Sequence, residues 1–97
     1  MEVFQKALMD TYHAGGIEFD WPCQVRIDED MLVIEYLYNN ELCTYRGHSI
    51  GNGHYRLNAV GFRGEGTLHR FAGGLFLEGF WVEEAEQGMW RIRLVDV

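Results

Sequence analysis

Residues 54–97 read HYRLNAVGFRGEGTLHRFAGGLFLEGFWVEEAEQGMWRIRLVDV, and three turns that contain glycine divide this stretch. The turns fall at residues 61–64, 73–74 and 85–88, and apolar and polar residues alternate between them. This alternation predicts half-buried β-strands, because successive side chains of a strand point to opposite faces of a sheet. We therefore predict four antiparallel strands, at residues 54–60, 65–72, 75–84 and 89–95.

The residues before this stretch show the same alternation from residue 17 onward. Asn39-Asn40 and Asn52-Gly53 are typical of two-residue hairpin turns, because both residue types tolerate positive φ. Pro22 interrupts the first alternating segment, which is typical of a short edge strand. Together these features predict an antiparallel meander of about seven strands over residues 17–97.

The N-terminal segment, at about residues 2–13, has a different spacing of apolar residues. Phe4, Ala7, Leu8 and Tyr12 fall on one side of a helical wheel, which predicts a short helix. The pair Gly15-Gly16 would end it. A helix of this length is not stable alone, so we expect its apolar side to pack on the sheet.

These elements predict a mainly β fold in a single domain covering residues 1–97. Strands twist with a constant hand, so a meander of this length tends to curl. We expect a small barrel or a strongly curved sheet, with the N-terminal helix packed at one end or on the concave side.

The turns also predict which residues lie opposite each other on neighbouring strands. The two-glycine turn places Glu78 opposite His69. The loop at 61–64 places Arg56 opposite His69, and the loop at 85–88 places Arg93 opposite Phe80.

One face of the predicted sheet is apolar and should form the core. Its members are Val25, Ile27, Leu32, Ile34, Tyr36, Cys43, Tyr45, Tyr55, Leu57, Ala59, Leu68, Leu75, Leu77, Trp81, Trp90, Ile92 and Leu94.

The opposite face is unusual for a solvent face because it carries three phenylalanines among polar residues. Opposite charges paired across strands on a solvated surface would explain the polar residues. A ligand pocket with apolar walls and a few polar groups would explain the whole face, and so would a protein interface. The predicted ligand-binding residues on this face are Arg56, Asn58, Thr67, His69, Phe71, Phe76, Glu78, Phe80, Arg91 and Arg93. The arginines would suit an anionic ligand, because the guanidinium fork matches carboxylate and phosphate groups.

His69 and Glu78 would be the catalytic pair if the protein is an enzyme. A histidine held by a carboxylate can transfer protons near neutral pH. The sequence offers only Thr67 as a hydroxyl on the same face, and it contains no catalytic motif around Ser49, its single serine. We therefore favour a protein without catalytic activity.

Composition limits which cofactors and partners we expect for this protein. The formal net charge is −7, with no cluster of Lys and Arg, so we expect no nucleic-acid partner. No apolar run is long enough to span a membrane, and the first residues do not resemble a signal peptide. His48, His54 and the two cysteines lack the close spacing of a zinc site, so we expect neither a metal nor a cofactor. Cys23 and Cys43 are expected to be unbonded thiols in a reducing cytoplasm.

Three classes of function remain open. The first is a non-catalytic binding module for a small ligand, with an anion as one candidate ligand class. The alternative is a protein–protein interaction module, either a homodimer or a small acidic inhibitor or regulator. The third is an enzyme that uses the pair of His69 and Glu78. The fold class alone does not choose among them.

Overall fold

The computed structural model describes residues 1–95 and shows a closed barrel of eight antiparallel strands. Each strand pairs with its neighbours in sequence, and the first strand pairs with the last to close the barrel. The strands are β1 (Glu2–His13), β2 (Gly16–Ile27), β3 (Met31–Tyr38), β4 (Glu41–Gly51), β5 (His54–Ala59), β6 (Glu65–His69), β7 (Phe76–Glu83) and β8 (Glu86–Arg93). The predicted antiparallel meander is confirmed, and it forms a barrel.

The predicted N-terminal helix is wrong, because Glu2–His13 is strand β1. Phe4, Ala7 and Met9 are buried, at a spacing of three and then two residues. A register shift between Phe4 and Ala7 places an extra β1 residue opposite β2, and this bulge reproduces the spacing of a helix. The segment forms a strand because β2 and β8 both pair with it and satisfy its backbone groups. Residues 1–95 contain no helix of the length and apolarity that crossing a membrane requires.

Strand β2 is longer than predicted because it continues through Pro22, which lies opposite Leu8. A second register shift occurs where Met9 pairs with Trp21, and Asp20 has a positive φ of 56° there. This bulge restores the original register between β1 and β2.

The predicted register between β6 and β7 is confirmed, with His69 opposite Glu78. Between β5 and β6 the prediction is wrong by two residues. Arg56 lies opposite Thr67, and His54 lies opposite His69. The backbone N–H of Ala59 donates to the carbonyl of Gly64 at 2.9 Å, so the loop begins earlier than predicted.

The hairpin between β7 and β8 also differs from the prediction. Glu83 pairs with Glu86, so the turn contains only the two residues between them, and Glu84 adopts a positive φ of 46°. Arg93 therefore lies opposite Phe76 instead of Phe80. Both register errors are even numbers of residues, so each side chain keeps its predicted face.

The barrel interior is the predicted apolar face, completed by β1. Its buried residues are Phe4, Ala7, Met9, Cys23, Val25, Ile27, Leu32, Ile34, Tyr45, Tyr55, Leu57, Leu68, Leu77, Trp81, Trp90, Ile92 and Leu94. Tyr36 and Ala59 are partly buried against this core. Leu75 was predicted to be buried but is 61% exposed, because β7 begins after it and leaves it in the loop.

The two ends of the barrel differ. At the end that holds the N-terminus, Arg70 lies 6.0 Å from the ring centroid of Phe4. Its guanidinium donates to the Gly74 carbonyl at 2.7 Å and to the Glu2 carboxylate at 2.9 Å. Arg70 also lowers the pKa of Glu2 through this hydrogen bond and its charge. The opposite end, at the turns after β1, β3, β5 and β7, opens into a cavity.

Candidate functional site

The ten residues predicted to bind a ligand lie on the outer surface of the barrel. All are exposed except Thr67, which is half-buried, and Phe71 and Phe80 are 85% and 51% exposed. The outside of a closed barrel is convex, so the side chains of these residues point away from one another instead of converging on one point. No feature of the structure tests whether they bind a ligand, and the set stays a prediction.

Two of the predicted arginines already have partners on this surface. The guanidinium of Arg91 lies 4.0 Å from the centroid of the Phe76 ring. Arg93 forms an ion pair with Asp20 at 3.1 Å. Both contacts form without a ligand, in agreement with a solvated face on which charged groups pair with their neighbours.

Arg56 and Asn58 lie in an open groove of about 650 Å³ over β4 and β5, next to Arg46 and His48. His48 lies exposed opposite Arg56, and the register shift between β4 and β5 falls between Ser49 and Gly51. The residues lining the groove include no Asp or Glu. We call it the basic groove, because the charged side chains in its lining are Arg46 and Arg56.

His69 and Glu78 are direct cross-strand neighbours, and the rings of His54 and His69 lie 5.6 Å apart. Within residues 1–95 no side-chain hydrogen bond joins His69 to Glu78, and both side chains are exposed. Across the same residues, no three His, Cys, Asp or Glu side chains are grouped so that they could hold a metal ion.

The open end of the barrel forms a second concave site, which we call the mouth. It is a cavity of about 460 Å³. Its lining residues are Met9, Thr11, His13, Glu18, Trp21, Tyr36, Tyr38, Glu41, Cys43, Phe62, Trp81, Glu83, Glu86 and Trp90. Residues 1–95 thus bring together aromatic rings and carboxylates from six strands and one loop. The sequence prediction missed this site because it assigned several of these aromatic residues to the core.

Backbone hydrogen bonds hold the indole rings of the mouth in place. The indole N–H of Trp21 donates to the Leu37 carbonyl at 2.9 Å. The indole N–H groups of Trp81 and Trp90 donate to the carbonyls of Met89 and Thr67, at 3.3 Å and 3.0 Å. Since their only polar atoms are satisfied, these rings offer apolar surface to the cavity.

Glu83 lines the mouth and is hydrogen-bonded to Tyr45, a buried core residue. The Tyr45 hydroxyl donates a hydrogen bond to the Glu83 carboxylate, and its ring packs edge-on against Trp90 at 5.1 Å. Burial raises the pKa of Tyr45, and the hydrogen bond and charge of Glu83 raise it further. Burial also raises the pKa values of Tyr36 and Cys43, with the Glu83 charge as the next cause. The negative charge of Glu83 therefore contributes to the raised pKa values of three groups in or next to the cavity.

The charged residues of the mouth are nearly all acidic. Glu18, Glu41, Glu83 and Glu86 line it, and its lining includes no Lys or Arg. His13 is its single basic side chain and lies 4.0 Å from Glu18.

Stability is expected to fall as the pH rises above about 9, because the folded barrel keeps buried groups protonated. Burial raises the pKa of the Cys23 thiol from 9.0 to about 12, and it raises those of Tyr36 and Tyr45 above 10.0. The unfolded chain loses these protons at the ordinary values, so it binds fewer protons and is favoured at high pH. Each such group should remove about 1.36 kcal/mol per pH unit above its ordinary pKa.

Urea unfolding from about pH 8 to about pH 11 measures this decline. Cys23→Ala should reduce the part that begins near pH 9, to which Cys43 also contributes, and should keep the part from the tyrosines. A free energy of unfolding that stays constant over this range would contradict the assigned burial.

Known proteins give no guide to which of these concave surfaces binds a ligand, so the geometry of this chain is the basis for the choice. No protein-family model, curated protein or solved structure matches it. Small-molecule sites are generally concave and combine apolar walls with a few polar groups. The mouth has this composition, whereas the lining of the basic groove contains no Phe, Tyr or Trp and the aromatic outer face is convex.

Proposed function

We propose that this protein is a non-catalytic binding module that holds a small organic ligand in the mouth of its barrel. The observation that supports this proposal is the cavity of about 460 Å³ with aromatic walls. Pockets for small ligands generally have volumes of about 300–1,000 Å³. Barrels of eight strands have an interior wide enough for one small ligand, and their mouths are preferred binding positions.

The fixed position of the aromatic rings also supports binding. Trp21 is held by its hydrogen bond to Leu37, and its ring lies 6.2 Å from that of Tyr38. Rings that are already ordered lose little conformational entropy when a ligand arrives, so more of the contact energy appears as affinity.

Fluorescence titration with N-phenyl-1-naphthylamine, a neutral aromatic probe, tests the position of the site. Trp21→Ala should weaken binding of the probe at least about tenfold, because it removes one wall of the mouth. Phe80→Ala removes a similar aromatic surface from the outer face and should leave the affinity unchanged. Both side chains are incompletely buried, so both variants should fold, and circular dichroism checks this.

The opposite pattern, with affinity lost only in Phe80→Ala, would move the site to the outer face predicted from the sequence. A folded wild-type protein that does not bind the probe would contradict the proposal.

A homodimeric interaction module is the second candidate, and the exposed apolar side chains of the outer face favour it. Phe71, Phe80 and Met89 are 85%, 51% and 62% exposed, and Phe80 pairs directly with Met89. Exposed apolar patches often mark protein interfaces. Native mass spectrometry over a dilution series tests this candidate. A dimer that dissociates on dilution and is lost in Phe80→Ser would support it, and a monomer at every concentration would exclude it.

A further inference from the structure

We infer that the ligand of the mouth is an organic cation, with an ammonium group carried on an apolar body. This inference rests on the proposed function and specifies the chemical class of its ligand. The structure places aromatic rings and four carboxylates around one cavity of about 460 Å³, with no Lys or Arg in its lining.

The hairpin between β7 and β8 places two carboxylates directly opposite each other. Glu83 and Glu86 are cross-strand partners, and both line the mouth. Like charges at directly opposite positions of an antiparallel pair destabilise the sheet. A cation bound between them would replace this repulsion with two attractions, which are stronger in a partly desolvated cavity than in water.

The aromatic walls suit the rest of such a ligand. Trp21, Trp81 and Trp90 line the cavity, together with Tyr36 and Tyr38. The face of an aromatic ring carries negative potential and attracts an ammonium group, with tryptophan as the strongest partner. The same rings bury the apolar part of the ligand. A metal ion would make no use of these walls, and residues 1–95 contain no suitable group of ligands for one.

The distribution of basic residues also argues for a cation in the mouth. The arginines that would suit an anion are on the outer wall, where Arg93 pairs with Asp20 and Arg56 lies in the basic groove. Within the mouth, the charge of Glu83 acts on Tyr36, Cys43 and Tyr45, and in each case it raises the pKa. An anionic ligand would meet the same negative charge without a compensating arginine.

A pair of probes with similar shape and opposite charge tests this inference. Benzyltrimethylammonium and phenylmethanesulfonate are titrated against bound N-phenyl-1-naphthylamine, and direct binding of each is measured by calorimetry. We expect the cation to bind at least about tenfold more tightly than the anion. Glu83→Gln and Glu86→Gln should each reduce this preference several-fold, and the double variant should nearly abolish it.

Glu29→Gln is the matched control, because it removes the same charge from an exposed turn between β2 and β3, at the other end of the barrel. It should leave the preference for the cation unchanged. The affinity for the neutral probe should be similar in all of these variants, which shows that the mouth is intact.

The two proposals fail in different ways in this experiment. If the neutral probe binds in the mouth but both ions bind equally, the inference about the cation is wrong and the proposed binding function stands. If Glu29→Gln lowers the preference as much as Glu86→Gln, the preference reflects the net charge of the protein and the inference is wrong. If neither the neutral probe nor the cation binds, both proposals are wrong.

Discussion

Leu77→Glu is expected to unfold the protein, whereas Glu78→Leu at the next position is expected to leave the barrel intact. Leu77 is completely buried in the core, and Glu78 is exposed on the outer wall. The first substitution loses roughly 1.5–3 kcal/mol of leucine burial and adds the cost of a buried carboxylate, several kcal/mol more. A domain of this size has roughly 5–15 kcal/mol of stability in total, so little folded protein should remain.

Circular dichroism and urea unfolding of the two variants make this comparison. The pair is matched because each substitution exchanges the same two side chains on one strand. A folded Leu77→Glu variant together with an unfolded Glu78→Leu variant would reverse the faces of β7, and with them the inside and outside of the barrel.

Gly79→Ala and Gly47→Ala are expected to cost about 3 kcal/mol or more each, which is a large effect for one methyl group. A Cβ atom at Gly79 would overlap the carbonyl oxygen of Thr67, and one at Gly47 would overlap that of Arg56. These obstacles are backbone atoms of the neighbouring strand, so relief requires the strands to separate. Glycines at such positions let the strands of a barrel approach closely and bend.

Gly15→Ala provides the control for these two substitutions. Its new Cβ would meet only the ring of His13, at 3.2 Å, and that side chain can rotate away. Urea unfolding should therefore show a loss for Gly15→Ala well below those for Gly79→Ala and Gly47→Ala. Equal losses for all three variants would mean that the cost comes from the backbone preferences of glycine and not from crowding between strands.

The faces of the strands could be predicted from the sequence, but the pairing between them only in part. The two-glycine turn fixes His69 opposite Glu78, and this pair is confirmed. The loops around β5 and β8 admit several lengths, and hydrogen bonds such as that from Ala59 to Gly64 select among them. Only a shift by an even number of residues keeps the apolar side chains inside the barrel. The alternation therefore predicted the correct face for these strands, although the cross-strand neighbours of Arg56 and Arg93 differ from the prediction.

The N-terminal strand shows why a local pattern can mislead. Phe4 and Ala7 are three residues apart and both buried, which is typical of a helix. The extra residue between them is accommodated by a bulge, and a bulge depends on the partner strand. Residues 2–13 therefore form a strand because they pair with the edges of β2 and β8, and β8 is distant in sequence.

The mouth could not be predicted from alternation alone. Trp81 and Trp90 occupy inward positions, and an inward aromatic residue looks the same in sequence whether it fills the core or lines an opening. Their distance from the barrel end separates the two cases, and this distance depends on the strand register and the barrel closure. Glu83 also points inward, and its carboxylate lines the mouth because Glu83 is the last residue of β7.

The sequence by itself determined the strand faces and most of the turns, because alternation and turn chemistry act between near neighbours in the chain. Only the tertiary structure decided that β1 closes the barrel and that one end remains open. Pairing of β1 with β8 joins residues such as Leu8 and Arg93. Contacts at that separation depend on the twist and register accumulated over all the strands between them, which no local segment encodes.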